Sequence, residues 1–119
     1  MGQFAIELLE RVEKAADRTI QMAVALPNNV AGWVIGRQVI RSATSVGANL
    51  EESLAVLIRR DYTHKISISL REARETLYWM RRIENNRLRS ARRLAKLKPE
   101  WAELVAILTA SQKTLRKWQ

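Results

Sequence analysis

The sequence predicts an all-α fold, a single antiparallel up-and-down four-helix bundle over residues 1–119. Three observations favour this fold. Apolar residues recur along most of the chain at alternating spacings of three and four, which is the period of an amphipathic helix. The chain has only four glycines and two prolines, too few for a fold that needs many turns. Apolar residues make up 47% and charged residues 28% of the chain, a composition that is typical of a folded domain rather than of a disordered one.

The apolar pattern divides into four helical segments joined by three connections. The segments cover about residues 3–26, 31–57, 61–84 and 99–118, and a basic connector occupies residues 85–98. Pro27 ends the first segment, because proline cannot continue the backbone hydrogen bonds of a helix. Asp61 is the predicted N-cap of the third helix, and Pro99 is the predicted first residue of the fourth. Amphipathic helices of this length with short connections pack as an antiparallel bundle.

The second helix has a wide apolar arc and an adjacent polar strip. The arc covers roughly 160° at 100° per residue, which is wider than a single core contact needs. Gly36 and Gly47 lie on this arc, and because each glycine costs a helix about 1 kcal/mol, they predict a close helix crossing. Ser42, Ser45 and Asn49 form the polar strip. We expect these groups to fix the helix register through hydrogen bonds, the alternative being a ligand site.

The third helix carries a second apolar stripe, and this stripe predicts self-association. If a small bundle buries one face of each helix, a second stripe is exposed in a monomer and marks an interaction surface. Two different surfaces on one subunit can pair around a ring, which predicts a cyclic homo-oligomer. The predicted subunit interface consists of Ile68, Trp79 and Ile83.

The positive charge is concentrated in one part of the chain. The net charge is +9, the isoelectric point is near 10.8, and residues 81–98 alone contribute a net +7. Such a run binds polyanions, and arginine in particular grips phosphate with two parallel hydrogen bonds. The alternatives are a solvated connector and a helix at a membrane surface. The predicted nucleic-acid-binding residues are Arg81, Arg82, Arg87, Arg89, Arg92, Arg93, Lys96 and Lys98.

Several classes of protein are not expected. The chain has no cysteine and a single histidine, so thiolate chemistry, disulfides and sites with two imidazoles are excluded. We predict no catalytic residues, no bound metal and no cofactor, and hence a protein that is not an enzyme. No run of apolar residues approaches the roughly 20 that cross a membrane, and no targeting segment is visible, so a cytoplasmic protein is expected.

The four tryptophans are predicted to be core or subunit-contact residues. They are Trp33, Trp79, Trp101 and Trp118. Base stacking is the alternative, and Trp118 is the first candidate for it because it follows Arg116 and Lys117.

Three segments of the sequence are similar to those of a known family. The second helix contains RSATSVGANLEE at residues 41–52, the third contains HKISISLREARETLYWM at residues 64–80, and the fourth contains ELVAILTAS at residues 103–111. The chain resembles the small bacterial proteins encoded in intervening sequences of 23S ribosomal RNA genes. The resemblance covers nearly the whole chain, although the stretch from residue 81 to 98 is more basic than the usual pattern.

The resemblance implies a four-helix bundle that assembles into a ring-like homopentamer, with no catalytic residues to carry over. The accessory variability proteins of diversity-generating retroelements share this fold, and they bind a reverse transcriptase and nucleic acid. We therefore expect a non-enzymatic oligomer that binds RNA or DNA through its arginines. The alternative is a scaffold that holds a reverse transcriptase together with nucleic acid.

Overall fold

The computed structural model describes residues 2–117, and all secondary structure in this range is helical. The four long helices of the sequence analysis are present, and a short helix lies between the last two. The helices are α1, Gln3–Val24; α2, Val30–Ser53; α3, Arg59–Asn85; α4, Ala91–Leu94; and α5, Leu97–Arg116.

The long helices surround one core, and each packs against two neighbours, in the cyclic order α1, α2, α3, α5. Side-chain contacts show that neighbours run antiparallel. In α2 and α3, for example, Ser42 contacts Thr76, and the carbonyl of Val46 contacts Ser69. The residue numbers rise along α2 while those of their partners fall along α3. The molecule is 46 Å long and about 20 Å across, as expected for four helices side by side. The prediction of an all-α bundle is confirmed.

Trp101 is the largest side chain that is fully buried in this core. Its indole Nε1 donates a hydrogen bond of 2.9 Å to Thr19 Oγ1, which joins the start of α5 to α1. The Thr19 hydroxyl in turn lies 2.8 Å from the carbonyl oxygen of Ala15, so its own proton also has an acceptor. A tryptophan that is buried in this way contributes a large apolar contact area and leaves no polar group without a hydrogen bond. Trp101 was predicted to be either a core residue or a subunit-contact residue, and it is a core residue.

Buried hydroxyls connect α2 to α3. Thr76 Oγ1 donates to Ser42 Oγ at 2.8 Å, and Ser69 Oγ donates to the carbonyl of Val46 at 3.1 Å. These contacts fit only one register of the two helices, so Ser42 acts as the polar strip predicts. Ser45 and Asn49 bond to each other within α2, and their side chains make no hydrogen bond to another helix in the described part of the chain. Asn49 Nδ2 donates to the Ser45 carbonyl at 2.8 Å.

An ion-pair cluster joins α1 to α5. Arg11 donates two hydrogen bonds to Glu100, from Nε at 2.7 Å and from Nη2 at 2.8 Å, and the same Nη2 lies 2.9 Å from Glu103. The hydrogen bond from Arg11 holds the pKa of Glu100 below its ordinary value, although partial burial acts in the opposite direction. A planar guanidinium that grips a carboxylate with two bonds orients both helices more strictly than a single contact would.

The glycines of α2 differ in how much space surrounds them. A methyl group on Gly32 would lie 1.9 Å from the carbonyl oxygen of Pro27, in the turn between α1 and α2. The backbone N–H of Gly32 also donates to Asn29 Oδ1, which is the N-cap of α2. On Gly47 the methyl would lie 3.6 Å from Val12, an ordinary contact distance. On Gly36 it would lie 3.4 Å from the side chain of Leu26 and 3.7 Å from the carbonyl oxygen of Ala23, at the end of α1. The closest approach is therefore at Gly32, in the first turn of α2, and not at the two glycines that predicted a close crossing.

We expect Gly32→Ala and Gly47→Ala to change stability in opposite directions. The clash at position 32 should cost about 1–3 kcal/mol of unfolding free energy, as overpacked sites do. The same change at position 47 should stabilise the protein by up to about 1 kcal/mol, because alanine is the better helix former. Urea unfolding of the two variants measures both effects. An equal response of the two variants would contradict the different surroundings of Gly32 and Gly47.

The helix boundaries differ from the predicted ones by up to four residues. The second helix ends at Ser53 rather than 57, and Leu57 is 99% exposed, because the chain there already turns towards α3. The N-cap of α3 is Ile58, so Asp61 is a residue of the first turn and not the cap. The last helix begins at Leu97, and Pro99 is its third residue. Proline is tolerated there because N–H groups of the first turn have no partner within the helix.

Candidate nucleic-acid interface

The basic connector begins with a tight turn at the end of α3. The N–H of Leu88 donates to the carbonyl of Ile83 at 3.0 Å, and the N–H of Arg87 donates to that of Glu84 at 3.1 Å. These two bonds are those of a Schellman motif, in which the residue after the C-cap has a left-handed backbone. Arg87 has this conformation, with φ of 55°. Glycine is the usual residue there, so Arg87 adopts a backbone that a side chain disfavours.

The rest of the basic connector is folded onto the bundle. Ser90 caps the short helix α4, its side chain accepting a hydrogen bond from the N–H of Arg93 at 3.3 Å. Leu94 and Leu97 are both buried in the core, and Leu88 packs against it. The connector is therefore not a free loop, because these leucines anchor its backbone at three points. The backbone that carries its charged side chains is held against the bundle.

The structure separates the eight predicted nucleic-acid-binding residues into three groups. Lys98 pairs with Glu84, so its charge is already matched. Arg82 and Arg89 are half-buried, and the Nε of each is buried without a hydrogen-bond partner. The remaining five are exposed and make no ion pair within residues 2–117: Arg81, Arg87, Arg92, Arg93 and Lys96.

The exposed face of α3 extends this basic surface and was missed by the sequence analysis. Arg71, Arg74, Tyr78 and Arg81 follow one another at spacings of three, four and three, and all four are exposed. The three arginines make no ion pair with any described carboxylate. We call these four residues the α3 stripe. Helical periodicity could have revealed it, had it been applied to the charged residues as well as to the apolar ones.

Tyr78 is held in place by its neighbours. Its ring lies 5.0 Å from that of Trp79, centroid to centroid, at an interplanar angle of 75°. The guanidinium carbon of Arg82 lies 5.3 Å from the Tyr78 centroid, within the range of a cation–π interaction. Trp79 Nε1 donates to Glu75 at 3.0 Å, and Arg41 of α2 donates to the same carboxylate. Burial raises the pKa of Glu75, but the bonds from Trp79 and Arg41 outweigh it and keep that pKa below its ordinary value.

The predicted subunit interface requires a correction. Ile83 is fully buried in the core of one subunit, so it is not available to another. Ile68 and Trp79 are half-buried, and the Trp79 N–H is already satisfied within the chain. The prediction assumed that a bundle buries one face of each helix. In fact α3 packs against both α2 and α5, and therefore buries two.

Other apolar side chains are exposed instead. On the outer face of α2, Val30, Trp33 and Val34 are each more than half exposed, and we call them the α2 patch. Trp33 Nε1 donates to Asn28 at 2.8 Å, which fixes the indole beside the α1–α2 turn. Trp118, the first candidate for base stacking, lies outside the described residues.

The described residues contain no group of three or more histidine, aspartate and glutamate side chains that could hold a metal ion. His64 is exposed near the start of α3. Over residues 2–117, none of the helices is both long enough and apolar enough to cross a membrane.

The fold and this surface define a small four-helix-bundle protein with a basic end and a basic helix face. A family model for the 23S rRNA-intervening sequence protein matches residues 5–110. The chain belongs to that family, as its sequence motifs suggest.

A solved structure supports the same assignment. It is that of a protein of unknown function from the S23 ribosomal protein family of Bacteroides thetaiotaomicron, and it is 26% identical to this chain. The match covers 89% of this chain and 98% of that one, with a TM-score of 0.82. No curated protein is significantly similar to the chain.

Proposed function

We propose that the protein is not an enzyme and that it binds nucleic acid through the basic connector and the end of α3. The observation that carries this proposal is the group of four exposed arginines and one exposed lysine without carboxylate partners among the described residues. All but Arg81, which lies on α3, belong to the connector that three leucines anchor. Unpaired cations that are clustered on a folded segment bind phosphates and release the counterions of the nucleic acid. Arg87 adds to this argument, because a basic residue occupies a backbone position where glycine is favoured.

A salt titration tests this proposal. If the surface contacts about four to six phosphates, the logarithm of the affinity for a single strand should fall with the logarithm of the salt concentration, with a slope of roughly −3 to −4. Fluorescence anisotropy with labelled 20-nucleotide RNA and DNA gives the slope directly. Binding that is absent at low salt, or that does not depend on salt, would refute the proposal.

We also propose that the chain forms a cyclic homo-oligomer, of five subunits as the family resemblance implies. The α2 patch supports this, since Trp33 is 58% exposed and its two valine neighbours are also exposed. Contiguous apolar side chains at a protein surface mark an interaction site, and in a ring they pair with a different surface of the next subunit. A ring would bring several basic connectors together, and weak phosphate contacts would then add through avidity.

Light scattering on Trp33→Glu tests the assembly. We expect the variant to have a smaller mass than the wild type, because a carboxylate within an apolar contact is costly to desolvate. Phe4→Glu, which alters an exposed aromatic residue outside the α2 patch, is the control and should keep the wild-type mass. A wild-type mass near 13.7 kDa at micromolar concentration would rule the assembly out.

A further inference from the structure

The α3 stripe combines three unpaired arginines with one exposed aromatic ring. Arg71 and Arg81 are ten residues apart on one helix, so the stripe is about 15 Å long at 1.5 Å per residue. Tyr78 lies between Arg74 and Arg81, with 45% of its surface exposed. An aromatic residue between cations is the arrangement with which proteins bind single strands, since the bases stack on the ring while the phosphates contact the cations.

The Tyr78 ring is oriented before any ligand binds. Trp79 packs against it, and Trp79 is held by Glu75, which is held in turn by Arg41 on the neighbouring helix. Arg82 lies against the same ring, and its terminal guanidinium nitrogens make no hydrogen bond within residues 2–117. A ring that is already immobilised loses little conformational entropy on binding. The free nitrogens of Arg82 remain available for a phosphate next to a stacked base.

We propose that Tyr78 is a base-stacking platform and that the α3 stripe binds single-stranded nucleic acid in preference to duplex. This inference rests on the proposed function and specifies its ligand. A duplex presents its phosphates to the arginines but keeps its bases paired and stacked inside, out of reach of Tyr78. Only an unpaired strand offers both a phosphate and an open base face.

The size of the effect follows from known stacking energies. Removal of an aromatic platform weakens single-strand binding by roughly 5- to 150-fold per stacked base. Duplex binding, which uses only the phosphates, is unaffected by the same change. The salt slope is also unaffected, because Tyr78 carries no charge and releases no counterions.

The test compares Tyr78→Leu and Tyr78→Phe with the wild type at one salt concentration. The probes are fluorescein-labelled 20-mers of oligo-U RNA and oligo-T DNA, and a 20-base-pair DNA duplex. We expect Tyr78→Leu to lose roughly 5- to 150-fold in affinity for both single strands and none for the duplex. Tyr78→Phe keeps the ring and should bind as the wild type does. The tighter of the two single strands identifies the preferred nucleic acid.

Phe4→Leu is the matched control, because it removes an exposed ring of α1 that is not part of the stripe. It should change none of the three affinities. Retained duplex binding by Tyr78→Leu shows that this variant is folded. If Tyr78→Leu binds single strands as tightly as the wild type does, or loses duplex binding equally, the inference is wrong.

The outcome that would overturn the role of Tyr78 differs from the outcome that would overturn nucleic-acid binding as a whole. Wild-type protein that binds none of the three probes would overturn the proposed function, and the platform with it. Wild-type protein that binds all three with a steep salt slope, but is insensitive to Tyr78→Leu, would overturn only the platform.

Discussion

Replacement of Arg92, Arg93 and Lys96 together by glutamate should remove most of the nucleic-acid binding. All three side chains are exposed, and none is in an ion pair with a described carboxylate, so the change should leave the helices intact. If each exposed contact contributes about 0.5–1 kcal/mol, the loss in affinity is roughly 10- to 150-fold. The salt slope for a single strand should become less steep by about 2, because three phosphate contacts are lost.

A control variant with the same net charge separates the effect of these three side chains from the effect of net charge on nucleic-acid binding. Lys14, Lys113 and Lys117 are exposed and lie outside both the basic connector and the α3 stripe. Each reversal removes two units of charge, so both triple variants carry about +3 in place of +9. We expect the control to retain most of the affinity. An equal loss in the two variants would show that net charge, and not the basic connector, determines binding.

The largest effect on stability is expected for Trp101→Ala. The side chain is fully buried between α1 and α5, and truncation of a buried tryptophan costs about 3–5 kcal/mol. That is a large part of the roughly 5–15 kcal/mol by which a small domain is stable. Chemical unfolding followed by circular dichroism measures the loss.

Trp101→Phe divides this loss into its two causes. Phenylalanine retains most of the ring volume but cannot donate to Thr19, so it should cost about 1 kcal/mol for the hydrogen bond, together with a smaller packing term. Full stability in Trp101→Ala would contradict the placement of this indole in the core.

The long helices were predicted correctly because amphipathic periodicity is a local property. Each apolar stripe recurs every three or four residues, and the predicted ends of α1 and α3 lie within two residues of the observed ones. The short helix α4 was not predicted. Four residues are too few to show a period, and Leu94 is buried because of the bundle beneath it.

The second apolar face of α3, with Ile68, Trp79 and Ile83, was predicted to be a subunit contact. For Ile83 that prediction is wrong. A sequence shows that a helix has two apolar faces, but it does not show how many neighbours the helix has. In this bundle α3 packs against both α2 and α5, and Ile83 is fully buried in the core. The same ambiguity exists for any helix that lies between two others.

The sequence by itself determined the class of fold and the unequal distribution of charge, because both depend on residue type and local spacing. Only the tertiary structure decided which basic side chains are available. Lys98 forms an ion pair with Glu84, and Arg41 forms ion pairs with Glu72 and Glu75. The partners lie on different helices, and the periodicity of one helix does not show which residues of another lie beside it. Tyr78 likewise stands out only once Arg82, Trp79 and the exposed arginines are placed around it. Ion pairs and stacked rings depend on distances between separate elements, and those distances are set when the helices pack.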